Sequence, residues 1–283
     1  MYNAVNKIAA LVALSLVFVC GCGKNADNGA HTLVDSIHKN IDEGKFEHAF
    51  ALIDSLNAKY PDSIDLRKRM MSVKAEAQVK QAMSLLTVWT ARVDSINIAI
   101  TDATKDFVQK TTSATMGSYL VHRDVASIDL AAARTAIQPR IVDNDTPWLI
   151  AVTLASPARP TAIRLDANGG NPTEITINAD ACIQSDGTWR CTIAPESAAV
   201  FALALQQNNA SSATFIITDA KGKEHRIALN EKMIGAIIAS NHLANLQAQD
   251  FYAKATCEKL SRRLQLARDQ QANDGRATSS LPE

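Results

Sequence analysis

The chain has 283 residues, with 29 basic and 29 acidic side chains and a formal net charge of zero. With no lysine- or arginine-rich block, it lacks the electrostatic footprint of a nucleic-acid or acidic-lipid binder. Hydrophobic residues make up 47% and aromatics only 5%, a balance that favours a packed core and long alanine-rich helices over deep aromatic-lined pockets.

Lys7 is the first charge, and the apolar run "IAALVALSLVFV" follows from Ile8 to Val19. A membrane-spanning helix needs about 20 apolar residues, so this run reads as the core of a secretory signal with a small residue before the cut. Val19, Gly21 and Cys22 resemble the lipobox of a bacterial lipoprotein signal. The resemblance implies cleavage after residue 21, acylation of Cys22 and acylation of the new N-terminus. Two or more acyl chains give stable membrane attachment where one is marginal. Residues 22–30, "CGKNADNGA", then read as a polar tether. In lipoproteins of this kind Asp after the lipidated Cys marks inner-membrane retention, and Gly23 in that place favours the outer membrane. The remaining chain, roughly 260 residues, suffices for one large or two small domains.

Residues 31–61 read as a helical pair broken at Gly44 and ended by Pro61. Its second half, with Gly44, Phe46, Ala49, Ile53 and Leu56, resembles one tetratricopeptide unit. Such repeats need about three copies to bury a continuous core, so the expectation is a helical hairpin of that shape and not a peptide-binding array. Residues 62–116 contain neither glycine nor proline before Met116. Val79, Leu86, Val93, Ile100 and Phe107 recur at sevens, with Ala82, Trp89, Ile96 and Ala103 between them, which is a coiled-coil seam.

Residues 117–229 change character. Alternation in "WLIAVTL" puts Trp148, Ile150, Val152 and Leu154 on one face; Ile163/Leu165, Ile175/Ile177, Phe215/Ile217 and Ile227/Leu229 repeat it. Turn signals separate these runs, so about eight short strands in an antiparallel sandwich or barrel are expected. Residues 194–208 read as a covering helix in preference to a further strand. In "ACIQSDGTWRC", Asp186-Gly187 is a two-residue hairpin turn. Counting outward pairs Cys182 with Cys191 at a non-hydrogen-bonded site, about 4.5 Å apart, within disulfide reach. Two free thiols or a two-ligand metal site are the alternatives, and no further His or Cys stands near enough to complete a metal site.

Residues 230–272 form a second seam, with Ala239, Leu246, Ala253, Leu260 and Ala267, then Leu243, Cys257 and Leu264, and Asp250 as the one violation. Cys257 reads as a buried seam residue. Residues 273–283 read as a disordered tail. The fold class is therefore α+β: an N-terminal helical hairpin, then a long antiparallel coiled-coil stalk with an inserted antiparallel β domain.

The lipobox, "VDSI" at 34–37, "GKFEHAFALIDSLNAKYP" at 44–61 and "GSYLV" at 117–121 together resemble a group of uncharacterised lipoproteins from Bacteroidales-like bacteria. That resemblance implies an architecture and a compartment and carries no activity with it.

Motifs for chemistry are sparse. The six histidines are scattered, with no H-E-x-x-H spacing and no G-x-S-x-G elbow. Asp143 and Asp145 in "DNDTP" carry oxygen ligands for Ca²⁺, but the EF-hand glycine and glutamate are missing and a capped turn explains them better. Trp148 and Trp189 share faces with core residues and read as packing in preference to sugar platforms. The sequence expectation is a lipid-anchored cell-envelope protein without enzymatic activity or cofactor. It presents a β domain on a helical stalk to an envelope protein or a glycan. A structural, oligomerising lipoprotein and a secreted hydrolase are the alternatives.

Overall fold

The computed structural model describes residues 25–111, 117–132, 135–142, 148–167 and 170–279. Among them are five α-helices and ten strands in two antiparallel sheets. The described residues up to Leu85, with those from Leu260 onward, form one compact unit, and Leu86–Lys259 form the other.

The first unit starts with α1 (Asn25–Asp42) and α2 (Phe46–Lys59), joined through Gly44 at φ +72°. Ile37 and Ile41 of α1 bury against Ala49, Ile53 and Leu56 of α2, and Met70 and Ala77 of α3 (Ile64–Thr104) close the cluster. Lys74 pairs with Asp54, and Gln81 bonds to Glu47, on the exposed side. The tether is shorter than expected, because helix already begins at Asn25. Gly29 is no flexible joint: a Cβ there would meet the Tyr60 hydroxyl at 2.7 Å, so glycine permits a close approach.

Helix α3 ends at Thr104, not near residue 116 as its seam suggests. The Thr104 hydroxyl turns back to the Ile100 carbonyl, Lys105 N–H bonds to Asp102 O, and β1 (Phe107–Thr111) begins. The β-forming "FVQKT" wins over a seven-residue periodicity that continues through it. Phe107 thus leaves the helical seam and joins the core of the second unit.

In that unit β1, β2 (Ser118–His122), β3 (Thr135–Val142), β4 (Leu149–Ala155), β8 (Thr188–Ile193) and β7 (Cys182–Ser185) lie side by side in that order. The smaller sheet orders β10 (Glu224–Leu229), β9 (Ala213–Asp219), β5 (Pro160–Ala167) and β6 (Thr173–Thr176). Neither sheet closes on itself, so the barrel alternative falls. Ile150, Val152 and Leu154 of the larger sheet share one core with Ile163, Leu165, Phe215 and Ile217 of the smaller. Helix α4 (Pro195–Gln207) contributes Ala198, Phe201, Ala202 and Leu205 to it, with Phe201 edge-on to Phe215 at 5.6 Å. Residues 194–208 are helical because Pro195 at the first turn is preorganised for it and because that stripe of apolar residues recurs at helical spacing.

Helix α5 runs Glu231–Ser279, past the expected end at 272, with no proline before Pro282 to stop it. Asn230 caps it, its side-chain oxygen accepting from Met233 N–H. All five positions of its first seam row, from Ala239 to Ala267, are buried or half-buried, as are Leu243, Cys257 and Leu264. Within the second unit Trp89 of α3 meets Tyr252 of α5 edge-on at 5.7 Å.

Candidate functional site

The disulfide lies where the hairpin register puts it. Cys182 pairs with Cys191, Gln184 with Trp189 and Ser185 with Thr188, with Asp186 and Gly187 at φ 52° and 74° in the turn. The two sulfurs are bonded, with the Cα atoms 4.1 Å apart. Trp189 packs half-buried against the core beside Cys182, and Trp148 is fully buried, so both serve packing. The Trp189 indole N–H is buried without a hydrogen-bond partner among the described residues. Cys257 is a half-buried free thiol. Cys22, Asp143 and Asp145 lie outside the described residues. Among the described residues no group of three or more His, Cys, Asp or Glu converges as a metal site.

One Ser–Asp–His cluster does assemble, and its geometry is structural. Ser156 Oγ donates to Asp219 Oδ2 at 3.0 Å, and His225 Nε2 lies 3.0 Å from the same oxygen. The hydroxyl therefore bonds to the carboxylate and not to an imidazole base, which is the wrong order for an activated nucleophile. Lys221 and Lys223 N–H bond to Asp219 Oδ1, closing the β9–β10 turn. The His225 bond, with help from these amides and from Ser156, holds the Asp219 carboxyl well below the usual carboxylate range despite its burial.

The two sheets differ in how they treat charge on the faces turned from the core. On the smaller sheet the charges pair among themselves. Arg164 bonds to Asp166 at 3.0 Å and approaches Glu224 at 3.5 Å, while Arg226 meets Glu224 at 2.7 Å. Ile216, opposite both arginines in register, is fully buried among them.

On the larger sheet the cations form no ion pair among the described residues. Register puts Lys110, Tyr119 and Val142 in one row, Arg140 opposite Leu149, and Thr153 opposite Arg190, which in turn faces Ile183. Alternation along the six strands puts no Asp or Glu on this face. Lys110 bonds to the Ala126 carbonyl, and Arg190, Thr192 and Ile183 are exposed, Ile183 by 70%.

Arg140 lies near the end of β3 on that face. Its guanidinium carbon lies 4.2 Å over the Tyr119 ring. Its Nε donates to Gln138 Oε1 at 2.9 Å. Gln138 is itself buried, and its amide donates to the Val125 and Ile128 carbonyls at 3.0 Å each. The Arg140 side chain is thus steered through one bond and one ring, half-buried, with its two terminal amino groups free of protein partners among the described residues. Burial lowers its pKa and the nearby Tyr119 raises it by less; an arginine stays cationic under any such shift. A cation–π contact is worth about 0.5–2 kcal/mol, less than the several kcal/mol that removing a charge from water costs. Among the described residues no carboxylate bonds to this guanidinium.

Sequence reading missed this constellation. Its local signal is "AIQPRIV", where Gln138 and Arg140 alternate with core residues. Tyr119 belongs to another strand, brought alongside by the β2–β3 register.

Protein-family models, characterised proteins and solved structures hold no match to this chain. The functional reading therefore rests on the chain's own geometry.

Proposed function

We propose that the chain is a lipid-anchored cell-envelope protein, without enzymatic activity, that presents the outward face of its six-stranded sheet to a protein partner. The observation that carries this reading is the contrast between the sheets: Arg164 and Arg226 are neutralised by their own neighbours, while Arg140 and Arg190 form no ion pair among the described residues. Arginine and tyrosine are the side chains most enriched at binding hot spots, and this face offers both beside an exposed isoleucine. The anchor is read from Val19, Gly21 and Cys22, with Gly23 favouring the outer membrane. No described helix is long and apolar enough to cross a membrane. Attachment at a surface raises the local concentration of the displayed face.

The helical spacer of this reading is an antiparallel pairing of α3 and α5. Trp89 against Tyr252 supports it in one unit; in the other, Ala82 and Leu85 line one groove with Leu260 and Ala267. The resemblance to Bacteroidales-type lipoproteins belongs to the same proposal.

A specific observation favours a second reading, self-association through the long helices. Val88 and Ile98 of α3, with Phe251 and Leu266 of α5, are each at least 63% exposed. Light scattering of the purified chain separates the two, since a monomer leaves only the partner-binding reading.

Two measurements test the proposal. Growth with an alkyne-bearing fatty acid should label the wild-type chain and not Cys22→Ala; label on both would remove the anchor. A photo-crosslinking residue replacing Thr192, on the unpaired face, should give a discrete adduct that one replacing Thr176, on the self-paired face, does not. Equal capture from both positions would remove the assigned face.

A further inference from the structure

We propose that Arg140 is the carboxylate-binding residue of the larger sheet, and that its ligand is an acidic segment of a protein partner. The inference deepens the partner-binding reading above and rests on it, but is independent of the lipid anchor.

Three observations converge on Arg140. It is half-buried and pairs with no carboxylate among the described residues, although Arg164 has Asp166 and Glu224 and Arg226 has Glu224. Its orientation is held from both ends: Gln138 fixes Nε, Tyr119 supports the plane, and Gln138 is tied to two backbone carbonyls. A side chain that only filled space would not need this support. The donors left over are the terminal amino groups, whose planar fork matches the two oxygens of a carboxylate.

The surroundings favour a protein ligand over a sugar acid. Arg190 and Ile183 lie two and three strands across from Arg140, level with the far end of β3, and both are exposed. Gln138 and Thr153, between them and Arg140 on this face, are buried, so Arg190 and Ile183 form a second exposed patch that carries a cation and an apolar side chain. Small-molecule sites are instead concave pockets that enclose most of the ligand. A peptide with acidic residues and one apolar anchor matches the pattern Arg140–Arg190–Ile183 in charge and in polarity.

The test uses the full chain purified in detergent and fluorescein-labelled decaglutamate, read by fluorescence anisotropy at low salt. Wild type should bind, and rising salt should weaken binding as screening sets in. Arg140→Gln should weaken it by about tenfold or more, since charge-assisted bidentate bonds are lost. Arg140→Lys, which keeps the charge and loses the fork, should weaken it as well. Tyr119→Phe should bind like wild type and Tyr119→Leu should not. Arg164→Gln, on the self-paired face, is the control and should leave binding unchanged.

A thermal melt checks each variant, and if Arg140→Gln does not fold, the charge-retaining Arg140→Lys carries the comparison. No binding by wild type overturns this inference, while the assigned face stands or falls on the Thr192 crosslink. Binding lost in Arg190→Gln but intact in Arg140→Gln and Arg140→Lys keeps the face and overturns Arg140 as its anchor. Binding to labelled polygalacturonate in place of decaglutamate overturns the assignment of a protein ligand.

Discussion

His225 Nε2 and Asp219 Oδ2 lie 3.0 Å apart, on the side of Asp219 that also receives the Ser156 hydroxyl. With Lys221 and Lys223 N–H on Oδ1, one buried carboxylate ties the β9–β10 turn to the end of β4. Asp219→Ala leaves a buried hydroxyl and two amides without their acceptor. It should cost about 2–4 kcal/mol, read as a lower urea midpoint at unchanged slope. A loss under 0.5 kcal/mol, the range of ordinary surface changes, would mean water replaces the carboxylate.

The same group sets part of the acid response. Its folded pKa lies below its ordinary value of 3.8, so the unfolded chain binds the proton first. The stability it contributes is complete above that ordinary value and is lost as pH falls from there towards the lower folded pKa. Wild type should therefore lose stability more steeply below about pH 4 than Asp219→Asn. Parallel acid curves would show that Asp219 is not depressed.

The Cys182–Cys191 bond holds β7, the edge strand, to β8 across nine residues of sequence. Reduction should lower stability by about 2–3 kcal/mol for so short a loop, and a double Cys→Ser variant should show the same loss without reductant. Hydrogen exchange should rise first at Ile183 and Ser185, the β7 residues at hydrogen-bonded sites of the ladder. Uniform exchange across the sheet would refute that local role.

Phe201 is 1% exposed and edge-on to Phe215. Phe201→Ala should cost about 3–5 kcal/mol, while Val200→Ser, one residue along and 48% exposed, should stay within about 0.5 kcal/mol. Similar losses for both would show that α4 does not dock by its Ala198–Leu205 stripe.

Trp89 and Tyr252 test the pairing of the long helices. A double-mutant cycle to Ala should return a coupling of about 0.5–1.5 kcal/mol for an edge-on pair, towards the lower limit because Tyr252 is 64% exposed. Zero coupling would leave α3 and α5 in contact by proximity alone.

Local chemistry was legible in the amino-acid order wherever a few neighbouring residues decide the outcome. Asp186-Gly187 determined a two-residue turn, and the turn determined which residues face each other, so Cys182 and Cys191 had to meet. Alternation at Ile163/Leu165 and Phe215/Ile217 determined which faces are buried, because side chains on a strand point to opposite sides in turn. The heptad rows of α5 determined its buried stripe for the same geometric reason. Where two local codes overlapped, only the folded chain decided. The seven-residue period ran through Phe107, and β1 took it because a core of strands stood ready to bury its ring. Gly29 looked like a tether and is a contact, because Tyr60 arrives from another helix. Of the candidate site the sequence held only the alternation of Gln138 and Arg140 with core residues. Nothing near Arg140 in the chain announces that Tyr119 will lie under it, or that Glu224 of another strand will reach Arg164. Those facts depend on which strands become neighbours, and strand order is a property of the whole sheet.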